Sequence, residues 1–139
     1  MKILAYDIRE DQTFAKSAEI EYCPFDTLFS TSDFISLHCD LNPKSKGIVG
    51  ARELNLMKRT AYLINTARGG LIEEEALYEA LRNGKIAGAG LDAYLNEPPQ
   101  ESPLLSLDNI ITTPHIGSYT HEALLEMGLA AVDNLIQNL

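Results

Sequence analysis

The sequence predicts an α/β protein built on a largely parallel sheet, and three observations carry that expectation. Short apolar runs of strand length alternate with segments of helical periodicity, the pattern of βα units. Each of five such runs gives way to a residue with usable chemistry nearby: Asp7, His38, Arg68, Asp92 and His115. Hydrophobic residues make up 45% of 139 positions. A chain of that size forms one domain, residues 1–139, that buries roughly 65–70% of its unfolded surface. In a parallel sheet the carboxyl ends of the strands share one edge, where ligands bind. The five polar residues are therefore expected along one edge.

The elements follow in order. Ile3-Leu4-Ala5-Tyr6 reads as a strand buried on both faces. Residues 9–16 form a loop or short helix, and 19–22 a short edge strand ended by Pro24. Asp26 is placed to cap a brief helix through Phe29. Phe34 to His38 is the next strand, with a turn at Asn42-Pro43. A short helix spans 51–57, and the strand 61–64 delivers Arg68. The segment 73–83 is the most clearly helical: Glu73, Glu74 and Glu75 suit the positive end of the helix dipole. Ala76, Leu77, Ala80 and Leu81 share its apolar face, and Gly84 terminates it. Ile86 to Leu91 is a small-residue strand, 93–108 a loop holding Pro98, Pro99 and Pro103, and 109–112 the last strand. Ser118 or Thr120 caps a final helix with the stripe Leu125, Leu129, Val132, Ile136 and Leu139.

Composition narrows the function classes. Eleven basic and 20 acidic residues give a net charge of −9, which argues against nucleic acid or an anionic membrane as partner. No apolar run reaches the ~20 residues of a membrane span. Cys23 and Cys39 form no CxxC pair, and no His/Cys group has zinc spacing, so no metal is expected. Two unpaired cysteines and an amino terminus unlike a signal peptide suit a reducing cytoplasm.

Taken singly, each candidate has a plain structural alternative. Asp7 could accept ribose hydroxyls or be a turn aspartate; His38 could line a base site or simply face solvent. Arg68 can grip a carboxylate through a bidentate fork or serve a salt bridge. Gly69 and Gly70 permit close backbone approach to a ligand, or only a turn. Asp92 and Glu97 frame the Pro-bounded loop, where lone carboxylates are usually solvated. His115, between Pro114 and Gly117, can exchange a proton near neutral pH. Together they suggest a mechanism. Arg68 anchors a 2-oxo acid, His115 donates a proton as hydride arrives from a nicotinamide, and Glu97 orients the imidazole.

The runs Leu63-Ile64-Asn65-Thr66-Ala67-Arg68-Gly69-Gly70, Ala87-Gly88-Ala89-Gly90-Leu91-Asp92, Asn96-Glu97-Pro98-Pro99 and Thr113-Pro114-His115-Ile116-Gly117 resemble the D-isomer-specific 2-hydroxyacid dehydrogenases. Several linked motifs occur in the family's order, and the resemblance covers essentially the whole chain. It implies that Arg68, Glu97 and His115 are the catalytic arginine, glutamate and histidine, and that NAD is the cofactor. It places Asp7 on the adenine ribose, His38 and Cys39 at the adenine pocket, and Thr66, Ala67, Arg68, His115 and Gly117 along the nicotinamide half. Asp92 would hold the carboxamide. Asp40 departs from the family, which often has proline there.

A larger departure is that no GxGxxG occurs in the sequence, so the pyrophosphate turn of the family and the strand before it have no counterpart. The expectation is a partial, doubly wound Rossmann domain lacking most of a substrate domain. Strand 3–6 would then close directly onto strand 34–38, giving the flavodoxin-like order 2-1-3-4-5-6; a homodimer or domain swap is the competing arrangement. Two functional readings follow. One is the cofactor and catalytic half of an NAD-dependent enzyme acting on 2-hydroxy and 2-oxo acids, with little turnover by itself. The other is a catalytically silent fold or assembly unit with relic site residues.

Overall fold

The computed structural model describes residues 1–138. Its elements run β1 (Ile3–Ala5), α1 (Gln12–Ser17), β2 (Ile20–Tyr22), α2 (Phe25–Thr31), β3 (Phe34–Leu37) and α3 (Ala51–Leu56). They continue with β4 (Tyr62–Asn65), α4 (Glu74–Arg82), β5 (Gly88–Leu91), β6 (Ile110–Thr112) and α5 (His121–Gln137). Short 3-10 turns stand at Gly69–Leu71 and Pro103–Ser106. Every strand pairing is parallel, as the alternation predicts.

Local chemistry sets several boundaries. The Asp11 carboxylate accepts from the Thr13 and Phe14 amides and so starts α1. Thr120, one of the two expected caps, accepts from the Ala123 amide at the start of α5. Gly84 takes φ +61° just beyond α4, a left-handed exit that glycine adopts without strain. Asp26 does not cap α2. Pro24 holds that position, and Asp26, one residue inside the helix, pairs with Arg52 instead.

The strands form two sheets, β1-β2 and β3-β4-β5-β6. This corrects the expected closure. Leu4 stands opposite Glu21 of β2, not opposite Ile35, and the order 2-1-3-4-5-6 is not formed. The physical reason lies in α2. Tyr6, at the end of β1, packs edge-on against Phe25 with ring centroids 5.0 Å apart, and Phe25 packs on fully buried Phe29 at 4.8 Å. These aromatic contacts tie β1 to the helix leading into β3, where closure would have required a backbone ladder between the strands.

Alternation along the larger sheet divides its faces. Ile35, Leu37, Leu63, Ala89 and Leu91 join Leu54 of α3 and Leu77 and Leu81 of α4 in one buried cluster. The opposite face presents Phe34, Tyr62 and Ile111 to solvent, with the Phe34 and Tyr62 rings stacked 5.4 Å apart. α5 buries none of its residues, and Leu125, Leu129, Val132 and Ile136 are all more than half exposed. The last member of the expected stripe, Leu139, lies outside the described residues. Among the described residues no helix is long and apolar enough to cross a membrane.

Candidate active site

The carboxyl ends of β4, β5 and β6 build one corner. Asn65, at the end of β4 and almost fully buried, shapes the first turn through both halves of its amide. Its Oδ1 accepts from the Ala67 amide at 3.1 Å, and its Nδ2 donates to the Arg68 carbonyl at 2.9 Å. The turn leaves Thr66 and Arg68 exposed. The Arg68 guanidinium donates to the Ala67 carbonyl at 2.7 Å, and among the described residues it pairs with no carboxylate. Gly69 follows, buried against the Tyr94–Leu95 peptide so tightly that a Cβ would overlap the Tyr94 carbonyl.

Asp92 lies just after β5 and is buried. Its Oδ1 accepts from the Thr113 hydroxyl at 2.6 Å and the Ile116 amide at 2.9 Å, and its Oδ2 from the Gly117 amide at 2.9 Å. Burial alone would raise its pKa. The three hydrogen bonds, with the nearby His115 charge, outweigh burial and hold it below the usual carboxylate range. These bonds clamp the turn in which His115 adopts φ +55°, a left-handed conformation uncommon for a residue with a Cβ.

That turn aims His115 at Glu97. Nδ1 lies 2.9 Å from Oε1 and 2.8 Å from Oε2 of the carboxylate. The Tyr94 amide donates to Glu97 Oε1 at 3.0 Å. This bond first, and the His115 contact second, hold the Glu97 pKa below its ordinary value against the opposing effects of burial and the Asp92 charge. Glu97 is thus ionised at neutral pH and can only accept, which places the imidazole proton on Nδ1 and leaves Nε2 free for a reactant.

Both depressed carboxylates make the same statement about stability. A folded-state pKa below the unfolded one contributes stability above the unfolded value, and that contribution is lost as pH falls through the folded value. Stability is therefore expected to be level, as far as these groups are concerned, above about pH 5 and to fall below about pH 4. Urea midpoints measured from pH 3 to 8 check this. An acid limb unchanged in Glu97→Gln would remove Glu97 as a contributor.

The other sequence candidates lie apart from this cluster. His38 and Cys39 are exposed beyond β3, with His38 Nε2 2.8 Å from the Ser36 hydroxyl. Asp7 is exposed at the end of β1, on the smaller sheet, and its Oδ1 accepts from the Arg9 amide at 2.8 Å. One Asp7 oxygen accepts no hydrogen bond from the described residues, so the carboxylate keeps an acceptor suited to a hydroxyl on the adenine ribose of a dinucleotide. The free Nε2 of His115 and the exposed Thr66 and Arg68 fit its nicotinamide end. Sequence reasoning gave no role to Asn65 or Tyr94, and gave Glu74 only a place at the helix dipole. Asn65 could have been noticed as a polar residue closing an apolar strand, whereas the other two act through partners distant in sequence.

Residues 1–117 match the family model of the D-isomer specific 2-hydroxyacid dehydrogenase, NAD binding domain. The chain belongs to this family. Relatives within it agree over nearly the whole chain. The glyoxylate reductase of Korarchaeum cryptofilum is 44% identical over 137 residues, 98% of this chain and 41% of that protein. The hydroxypyruvate reductase of Thermotoga maritima is 44% identical over 142 residues, all of this chain and 45% of that protein. Among solved structures, a glyoxylate reductase from Paecilomyes thermophila superposes with a TM-score of 0.91 at 40% identity, covering 97% of this chain and 41% of that one. A D-lactate dehydrogenase from Aquifex aeolicus, complexed with NAD and lactic acid, gives 0.87 at 32% identity, covering 99% and 47%. The chain spans less than half the length of those relatives.

Proposed function

We propose that this chain is the cofactor and catalytic half of an NAD-dependent enzyme that interconverts 2-hydroxy and 2-oxo acids. The observation that carries the reading is the Glu97–His115 pair, with Nε2 free at the edge that also bears Arg68. Arg68 binds the carboxylate of the acid and polarises its 2-oxo group. His115 delivers a proton from Nε2 to the carbonyl oxygen, and ionised Glu97 stabilises the imidazolium before transfer and fixes its tautomer. NAD(H), when bound, supplies or accepts the hydride. Asp7 would receive the adenine ribose, with His38 and Cys39 beside the base. Thr66, Ala67, Arg68, His115 and Gly117 would flank the nicotinamide, and the remaining lone pair of Asp92 Oδ2 would face its carboxamide.

Two further assignments belong to the same proposal. A reducing cytoplasm is the compartment we infer, and the free thiols Cys23 and Cys39 support it. A homodimer, with or without exchange of elements, would pair the free edges left by the two sheets.

Calorimetric titration with NADH, followed by assays with hydroxypyruvate, glyoxylate and pyruvate, tests the enzyme reading. The expected result is micromolar binding and a low turnover that Arg68→Ala lowers by about 100-fold or more, the loss of a charged transition-state contact. No detectable NADH binding would leave the catalytically silent assembly unit as the better reading.

A further inference from the structure

If Glu97 and His115 do the acid–base work proposed for them, their loop must be held against the Arg68 corner. We propose that Glu74 is a positioning residue that fixes the Glu97-bearing loop to the start of α4. Its Oε1 accepts from the Leu95 amide at 2.7 Å, across 21 residues of sequence. The neighbouring amide, that of Tyr94, is the one that donates to Glu97. Two successive amides on this loop thus point to two different carboxylates, one structural and one in the acid–base pair.

The surroundings make the loop a single mechanical piece. Tyr94 is buried, and its hydroxyl lies 2.9 Å from the Thr113 carbonyl and 3.0 Å from that of Leu91. The Leu91 oxygen already accepts from the Thr113 amide, so the tyrosine proton is best used by Thr113. That bond joins the loop to the residue two before His115. On the other side Gly69 lies flat against the Tyr94–Leu95 peptide. Glu74 closes the remaining side, so the segment carrying Arg68 and the segment carrying Glu97 cannot move independently while its hydrogen bond persists.

A helix-dipole role for the three glutamates does not account for this arrangement. Glu75 is exposed, and the Glu73 side chain turns back toward Gly47 and Gly50. Only Glu74 reaches the catalytic loop. A dipole role depends on charge, whereas a positioning role depends on an acceptor at the right length, and this difference makes the two separable.

The test uses Glu74→Ala, Glu74→Gln and Glu74→Asp in the whole chain. It reads amide hydrogen exchange at Tyr94 and Leu95 and the carboxyl titration of Glu97 by NMR. In E74A both amides are expected to exchange about tenfold faster, beyond any change in global stability, as befits loss of one hydrogen bond to a charged acceptor. Glu97 should then titrate nearer its ordinary value. E74Q keeps an acceptor oxygen and should stay close to the parent in both readouts; E74D, one methylene short, should follow E74A. If E74A lowers stability while leaving Tyr94 exchange and Glu97 titration in place, or if E74Q behaves as E74A does, the positioning role is overturned. Neither readout involves NADH or turnover, so failure of the enzyme reading and failure of this one are distinguishable.

Discussion

Gly69→Ala is expected to destabilise the domain at the upper end of the ~1–3 kcal/mol that overpacking costs, and to disrupt the candidate site at the same time. The added methyl would overlap the Tyr94 carbonyl carbon and oxygen and the Leu95 nitrogen, all backbone atoms with no rotamer to yield. Relief would come only from separating the Arg68 turn from the Glu97 loop. Gly90→Ala is the internal control, because a Cβ there meets nothing within 4 Å. It should be neutral, or more stable by about 0.4–1 kcal/mol through a less flexible unfolded chain. Urea midpoints for the two variants, with the Glu97–His115 contact followed by NMR, decide the matter. Equal midpoints would mean that the close approach at Gly69 is not a constraint.

Asp92→Asn is expected to have the second large effect. The parent carboxylate accepts three hydrogen bonds, two at Oδ1 and one at Oδ2. An asparagine has one acceptor oxygen, so its amide nitrogen must face the Gly117 amide or, if flipped, the Ile116 amide. Either way two donors oppose each other in a buried place, which costs about 1–3 kcal/mol. The loss falls on a turn whose His115 backbone is already in an unfavourable region. Stability at neutral pH should drop, and the acid limb should shrink because one of the depressed carboxylates no longer titrates. A variant with the parent's acid limb would show that Asp92 does not contribute to it.

Much of this site is legible in the sequence because the site is local. An apolar run that ends in a polar residue is a strand meeting an edge, and Arg68, Asp92 and His115 are found that way. Glu97 is legible only through its motif, since its pairing with His115 depends on the path of a proline-rich loop. Tyr94 and Glu74 were not legible. Nothing about a tyrosine in a loop announces that its hydroxyl reaches Thr113, and three successive glutamates look alike until one of them meets Leu95. The fold divides similarly. Parallel order from β3 to β6 follows from alternation, but the place of β1 does not. An expectation based on backbone hydrogen bonds set β1 against β3; the Tyr6–Phe25–Phe29 contacts set it beside α2.

The uncovered face of the larger sheet also governs how these molecules behave toward one another as colloids. Phe34, Tyr62 and Ile111, with the apolar stripe of α5, offer surfaces that attract their like, and a net charge of −9 opposes the approach. That repulsion reaches about 10 Å at 0.1 M salt and about 3 Å at 1 M. It vanishes near the isoelectric point of about 4.7. The pH interval in which Asp92 and Glu97 report on the fold therefore begins where mutual repulsion is weakest, and dilute, low-salt solutions are the ones in which unfolding and clustering stay separate.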